Sequence, residues 1–238
     1  GSATDTYSVW LKRVAGSGTI NITADGGTLW TPVAVTTTWT KFAVTAVLVN
    51  PVCGIQVITN TDSVAVDFSQ LEGGSFSTSP VLTTTAAATR AADIVSMAIS
   101  SIPTGVMYAQ GNVTVDASLI ARLAQVSDGT EANRNFVGVS TTGDARYQAR
   151  VSTATQADIS IAGVNGSTFK IAAVWSSNDF QQATNGTLGS ADVSGTVPVV
   201  NVLHIGSDTT TSHANGYIRR VALFTGRLSN GNLQAITS

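Results

Sequence analysis

The sequence predicts an all-β protein, and three observations carry that expectation. Charged residues make up only 11% of the chain, well below the usual quarter, while Thr, Ser, Ala, Val and Gly abound. Val and Thr favour pleated strands, and Gly with Asn and Ser supplies turns. Apolar and polar residues also alternate over short runs, each bounded by a Gly, Asn or Asp turn signal. Finally, helical periodicity never lasts longer than about two turns, apart from an ambiguous patch at residues 86–99.

The strands can be taken in order. Residues 7–13 place Tyr7, Val9, Leu11 and Arg13 on one face and Ser8, Trp10 and Lys12 on the other. A Gly-Ser-Gly turn leads to a strand at 19–23, and Asp25-Gly26-Gly27 is the next turn. Strands follow at 30–35, 39–49, 54–59 and 63–71, with Pro32 marking an edge and Pro51 a turn. The stretch 73–89 is rich in Ser, Thr and Ala and reads as a linker or extended tether. Beyond it, residues 113–126 alternate with Val113, Val115, Ala117, Leu119, Ala121 and Leu123 inward. That run is long for one strand, so a bend or two strands is expected. Ser127 to Thr130 is a turn, and strands follow at 136–139, 147–151, 159–162, 169–175 and 199–205. Asn165-Gly166 and Asn185-Gly186 read as hairpin-type turns.

The last stretch, NGYIRRVALFTGRLSNGNLQAI at 215–236, reads as a turn, a strand at 217–224, a turn at Gly226 and a short helix. Its apolar positions, Ile218, Val221, Leu223 and Phe224, alternate imperfectly, so a bulge near Arg219-Arg220 or burial on both faces is expected. Ser229 is the predicted N-cap, with Leu228 and Leu233 at the two staple positions.

Length and charge bound the function. A chain of 238 residues makes one large β domain or two smaller ones and can bury a sizeable core. The net charge is −2 with no basic run, so nucleic acid is not an expected partner. Cys53 is the one cysteine and can form no intrachain disulfide. The start does not read as a signal peptide, and no apolar run is long enough to span a membrane as a helix, so membrane insertion is not expected.

The closing stretch resembles the last motif of the concanavalin A-like (laminin G and pentraxin type) lectin superfamily. There a G-Y-I strand runs into an aliphatic-aromatic end, then R-L-S-N, then a short helix. The version it is most similar to belongs to tail and tail-fibre proteins of bacteriophages. AQVSDGTEANRNFVGV, KIAAVWSSNDFQQATNG and VLHIGSD fit that pattern in order. YSVWLK, WTPVAVTTTWTKFAVTAVL and GIQVITNTDSVAVDFSQLEGG resemble the second half of a jelly-roll carbohydrate-binding module, as found in phage structural proteins and glycoside hydrolases. The resemblance implies two β-sandwich (jelly-roll) modules, the C-terminal one concanavalin A-like. The module at 1–72, at roughly 70 residues, falls short of a full sandwich: either it is incomplete, or a neighbouring subunit supplies the missing strands, or it is a smaller module in its own right. The linker then covers 73–89 and the lectin-like domain 90–238. Residues 90–99 resemble that domain's first strand.

Catalysis is not expected. Glu72 and Glu131 are the only glutamates, and nothing matches the E-x-D-x-x-E strand of the glucanases that share this fold. Asp128, Asp144, Asp179 and Asp208 fall at turns, where Asp serves local backbone bonding. His204 in a strand and His213 in a loop make no triad, and no Cys/His metal spacing exists. The resemblance admits a Ca²⁺ site built on Asp128 or Asp208, but no dense carboxylate loop supports one, so no cofactor is expected.

Sugar binding needs an aromatic platform flanked by hydrogen-bonding side chains. Trp10 and Trp39 sit in strongly alternating strands and read as core. Trp30, after a Gly-Gly turn, and Trp175, before a Ser-Ser-Asn-Asp loop, are candidates. So is Tyr147 with Gln148 and Arg150, on a strand that reads equally as the wetted face of an antiparallel sheet. The expected function is that of a non-enzymatic virion component, a phage tail or fibre protein that binds surface glycan. It is expected to assemble as a homo-oligomer, a trimer by the resemblance, in a virion appendage. The alternative is a carbohydrate-binding module of a secreted enzyme acting on plant or algal polysaccharide.

Overall fold

The computed structural model describes residues 3–83, 86–88, 94–115, 119–208 and 212–238. It divides into two compact units, Gly1–Ala91 and Ala92–Ser238.

The first unit holds β1 (Ala3–Ala15), β2 (Ile20–Thr23), β3 (Thr31–Val33), β4 (Thr40–Leu48), β5 (Gly54–Val57) and β6 (Ser63–Gly73). They form two three-stranded antiparallel sheets, ordered β4-β1-β6 and β3-β2-β5. The core between them contains Tyr7, Val9 and Leu11 from β1 with Ile20 and Ile22 from β2. The alternation of residues 7–13 therefore points as its pattern predicts, leaving Ser8, Trp10 and Lys12 on the other face. Pro32, which cannot donate to a ladder, lies on the edge strand β3. The start of the Ser/Thr-rich stretch is fastened to this unit. Thr78 N donates to Glu72 Oε1 at 2.7 Å, and Val81 N to Gln70 Oε1 at 2.7 Å.

The second unit opens with β7 (Val95–Ala98), β8 (Gly105–Val113), β9 (Ala121–Ser127), β10 (Arg134–Val139), β11 (Ala145–Val151) and β12 (Ala154–Ile161). There follow β13 (Thr168–Ser176), β14 (Asp179–Thr184), β15 (Thr187–Leu188), β16 (Val202–Ile205), β17 (Gly216–Thr225) and the helix α1 (Asn230–Thr237). A six-stranded sheet, β12-β11-β10-β9-β16-β7, faces a five-stranded one, β15-β14-β13-β8-β17. All strand pairs are antiparallel. This is the β-sandwich the sequence predicts, nearly devoid of helix.

The five-stranded sheet is buried on both faces. Met107, Ala109, Phe169, Ile171, Ala173 and Trp175 point into the core between the sheets. Val106, Tyr108, Ala172 and Val174 point the other way, against Leu233 of α1 and Leu228. Double burial explains why β8 is missing from the sequence reading: its residues are apolar without alternation. The run expected at 113–126 resolves into the end of β8 and the whole of β9. Leu119 is exposed rather than inward, and Ala117 lies outside the described residues, as does the start of the strand expected at 90–99.

The closing stretch follows its sequence reading. The β17–β8 register shifts between Ile218 and Arg220, a bulge that reconciles the imperfect alternation. Ser229 Oγ accepts from Asn232 N at 3.2 Å, capping α1. Asn185-Gly186, with φ of 47° and 76°, closes the two-residue hairpin between β14 and β15. Asn165-Gly166 instead joins strands of different sheets, and Asn165 Oδ1 accepts from Val115 N at 2.9 Å. Its role is a crossover rather than a hairpin.

Candidate functional site

The outer face of the six-stranded sheet carries an unusual load of polar groups for so charge-poor a chain. It follows from strand alternation. On β11, Ala145, Tyr147 and Ala149 enter the core, which turns Arg146, Gln148 and Arg150 outward. On β10, Val137 and Val139 go inward, leaving Arg134, Phe136 and Gly138 outside. On β9 the register shifts so that Leu123 and Ala124 both face the core; Arg122 and Gln125 then lie outside.

Register sets these groups in a line. Asp158, Gln148, Phe136, Gln125 and His204 are successive cross-strand partners from β12 to β16. Two guanidiniums roof the phenyl ring of this line, the Cζ of Arg122 at 4.8 Å from the centroid and that of Arg134 at 5.6 Å. Glu131, from the loop between β9 and β10, ties them together. It accepts from Arg122 Nη1 at 2.6 Å, Arg134 Nη1 at 2.8 Å and Gln125 Nε2 at 2.9 Å. Arg134 Nη2 donates to Gln148 Oε1 at 2.8 Å, and Gln148 Nε2 to Asp158 Oδ2 at 2.9 Å. Arg146 grips Asp158 with two nitrogens. Asp208 Oδ2, buried, stands 3.4 Å from Arg122 Nη1. The Glu131 loop is itself braced. Asp128 accepts from Thr130 N at 2.9 Å and from Asn133 Nδ2 at 2.8 Å.

Donors outnumber acceptors on this face. Arg122 Nε, Arg134 Nε, Arg150 Nε, both nitrogens of His204 and Ser207 Oγ are buried without a hydrogen-bond partner among the described residues. Arg150 also makes no ion pair among the described residues. Burial, then the like charges of Arg122 and Arg150, push Arg134 down to about 10 against the pull of Glu131 and Asp208. Burial also holds His204 below its ordinary value, so its imidazole is neutral at pH 7, although Glu131 and Asp208 oppose this. Asp158 is held below the usual carboxylate range; its partial burial pulls upward, but hydrogen bonds from Arg146 and Gln148 outweigh it.

The arrangement suits holding an acceptor-rich ligand. Asp158, held below the usual carboxylate range by Arg146 and Gln148, is an ion-pair partner and not a proton donor near neutral pH. Among the described residues no group of three or more His, Cys, Asp and Glu could hold a metal ion. The two aspartates considered for calcium are occupied differently, Asp128 by its own loop and Asp208 facing a guanidinium.

The residues singled out in the sequence part company. Gln148 and Arg150 belong to this face. Tyr147 does not: it points into the core, buried, with its hydroxyl donating to Asn135 Oδ1 at 3.0 Å. Trp175 is likewise buried, its Nε1 donating to Ile102 O at 2.9 Å. Neither ring offers a face to a sugar, because the alternation that turns Gln148 outward turns Tyr147 inward. Trp30 lies in the first unit, half-buried over Gly27 and Gly54, whose added Cβ atoms would meet its ring at 2.9 and 3.5 Å. The sequence does not point to Arg122, Gln125, Glu131, Arg134, Phe136, Asp158 or His204 as binding residues. The available signal was polar side chains at every second position of strands in a chain with few charges.

No protein-family model matches the chain, and no curated protein does. Among the solved structures that resemble it in part are the following three. The CBM40 of the Ruminococcus gnavus IT-sialidase, bound to α2,3-sialyllactose, aligns at 18% identity over 60% of this chain and 96% of its own, with a TM-score of 0.47. The native heptameric SAP-like pentraxin from Limulus polyphemus aligns at 12% identity over 59% of this chain and 72% of its own, TM-score 0.47. Domains LG4-5 of the mouse laminin α1 chain align at 10% identity over 93% of this chain and 82% of their own, TM-score 0.45.

Proposed function

We propose that this chain is a non-enzymatic glycan-binding protein and that the outer face of its six-stranded sheet holds the glycan. The observation that carries the reading is the surplus of enclosed donors around Phe136. Three arginine Nε–H groups and the one N–H of the neutral His204 imidazole lack partners among the described residues, and unpaired buried donors are costly. A ligand dense in hydroxyl and carboxyl oxygens answers that surplus once the arginine side chains swing aside to admit it, since Arg122 and Arg134 are buried as the face stands. Arg150, half-buried at the rim without an ion pair among the described residues, is the group we assign to first contact.

The setting we propose is a tail or fibre appendage of a bacteriophage virion, with the chain acting in host attachment as a homo-oligomer. Its support is the ordered set of motifs at 124–236. Several weak sites on one assembly gain strength by avidity.

A glycan array on the intact chain, followed by calorimetry on the best ligand, tests the binding. Arg150→Ala is expected to weaken it about tenfold, roughly one charge-assisted hydrogen bond, without moving the melting temperature. Absence of any bound glycan, or wild-type affinity in both Arg150→Ala and Gln148→Ala, contradicts the assignment. Light scattering tests the assembly, and a monomer at all concentrations contradicts that part.

A further inference from the structure

The first unit has a feature of another kind. Trp10, Trp39, Asp67, Phe68 and Pro80 line a hollow of about 220 Å³. The outward alternation of β1 brings Trp10 beside Lys41 of β4 and Asp67 of β6. Between Ser8 and Trp10 the β1–β6 register shifts, so that Phe68 and Ser69 together oppose the single residue Val9. Phe68 there adopts φ of 42°, a left-handed conformation that is costly for a bulky residue. Phe68 is nonetheless 46% exposed, and Trp39 40% exposed. The folded-back stretch carrying Pro80 makes the wall. It is pinned where Val81 N meets Gln70, and again where Lys41 Nζ donates to Thr78 O.

Two polar groups at the hollow remain unanswered. Trp10 Nε1 is enclosed without a partner among the described residues. Asp67 Oδ1 accepts from Phe68 N at 2.8 Å, while its Oδ2 has no hydrogen bond among the described residues. The indole N–H asks for an acceptor and the carboxylate for a donor. A hydroxyl is both, and the rings ask for a C–H face. A quaternary ammonium suits the rings and Asp67 but gives Trp10 nothing. A uronate or other anionic sugar meets Asp67 with like charge. The volume lies below the roughly 300–1,000 Å³ that holds a drug-sized molecule, so it suits one ring.

We propose that residues 3–83 carry a second binding site, independent of the polar face described above, which takes a single neutral hexopyranose with its apolar face on Trp39 and Phe68. Rotation of these two exposed rings admits the sugar hydroxyls to Trp10 Nε1 and Asp67 Oδ2. The strain at Phe68 holds an aromatic ring where the backbone would prefer glycine.

The test is saturation-transfer NMR on the intact chain with the methyl glycosides of mannose, glucose and galactose, alongside methyl glucuronate glycoside and tetramethylammonium. Transfer to the ring C–H protons of at least one neutral glycoside is expected. Trp39→Ala should lower its affinity at least about tenfold, as loss of a stacked ring does. Phe68→Gly should weaken binding while leaving the melting temperature equal or higher, since glycine accepts that φ. Val14→Ser, exposed on β1, the strand of Trp10, is the control. Any of three results overturns the proposal: no neutral glycoside binds, binding is unchanged in both ring variants, or glucuronate or tetramethylammonium binds as well as the neutral sugars.

Discussion

Replacing Glu131 by alanine removes one carboxylate that serves three donors at once, on Arg122, Arg134 and Gln125. Charge-assisted bonds are worth roughly 1.5–3 kcal/mol each, and breaking a buried pair from one side about 3–5 kcal/mol. Two features reduce the loss. The Glu131 side chain is 34% exposed, so water already competes for it. The guanidiniums also keep other partners: Arg122 retains Gln125 and Asp208, and Arg134 retains Gln148 and the backbone carbonyl of residue 131. A net cost of about 2–3 kcal/mol remains. For a unit of this size each kcal/mol moves the melting temperature by about 2–4 °C, so the expected drop is about 5–10 °C. Glu131→Gln keeps one acceptor and should lose about half as much. Differential scanning calorimetry reads both variants, and glycan affinity should fall in parallel as the arginines over Phe136 lose their tether. If both variants melt within about 1 °C of the parent, Glu131 is not the tie between the two arginines, and the reasoning fails.

Acid should destabilise the second unit through His204. Burial depresses its folded pKa, so on acidification the unfolded chain takes the proton first. Stability is therefore full above the ordinary value near 6.5 and falls as pH drops through it toward the folded value. Urea midpoints at several pH values should show this slope, and His204→Gln should flatten it. Trp175→Phe leaves Ile102 O without its indole donor and opens a small void, at a cost of about 2 kcal/mol. Denaturant melts should register that loss while glycan affinity stays unchanged, since Trp175 is core. Ser229→Ala should cost about 1 kcal/mol by uncapping α1, and Leu233→Ala about 2–5 kcal/mol by emptying the layer beneath it. Equal small effects would show that α1 is not packed on the sheet.

What could be read in the sequence was whatever alternates or caps. The β1 pattern, the β17 bulge and the Ser229 cap are local codes, and each appears in the structure as its residues predict. β8 escaped because burial on both faces erases alternation, and β14 because Gln181 and Gln182 look like loop residues although the fold buries them. The polar face escaped for a different reason. Its members come from β9, β10, β11, β12, β16 and a loop, and only sheet register brings Asp158, Gln148, Phe136, Gln125 and His204 into line. Rings were sought as platforms, but Tyr147 and Trp175 are among the largest side chains available to fill a core, and alternation sends both inward. Trp10 and Trp39 went the opposite way. Their alternating strands suggested burial, yet in the first unit they lie on the sheet face away from its core.

The account stands or falls on whether the enclosed arginine N–H groups around Phe136 are those that meet the glycan. Selective NMR of the Arg Nε–Hε resonances during titration with an array-selected glycan addresses this directly. Saturable shifts are expected at Arg122, Arg134 and Arg150, with no change at Arg227, which pairs with Asp179 elsewhere. Saturable binding that leaves all three unmoved would contradict the assignment of this face.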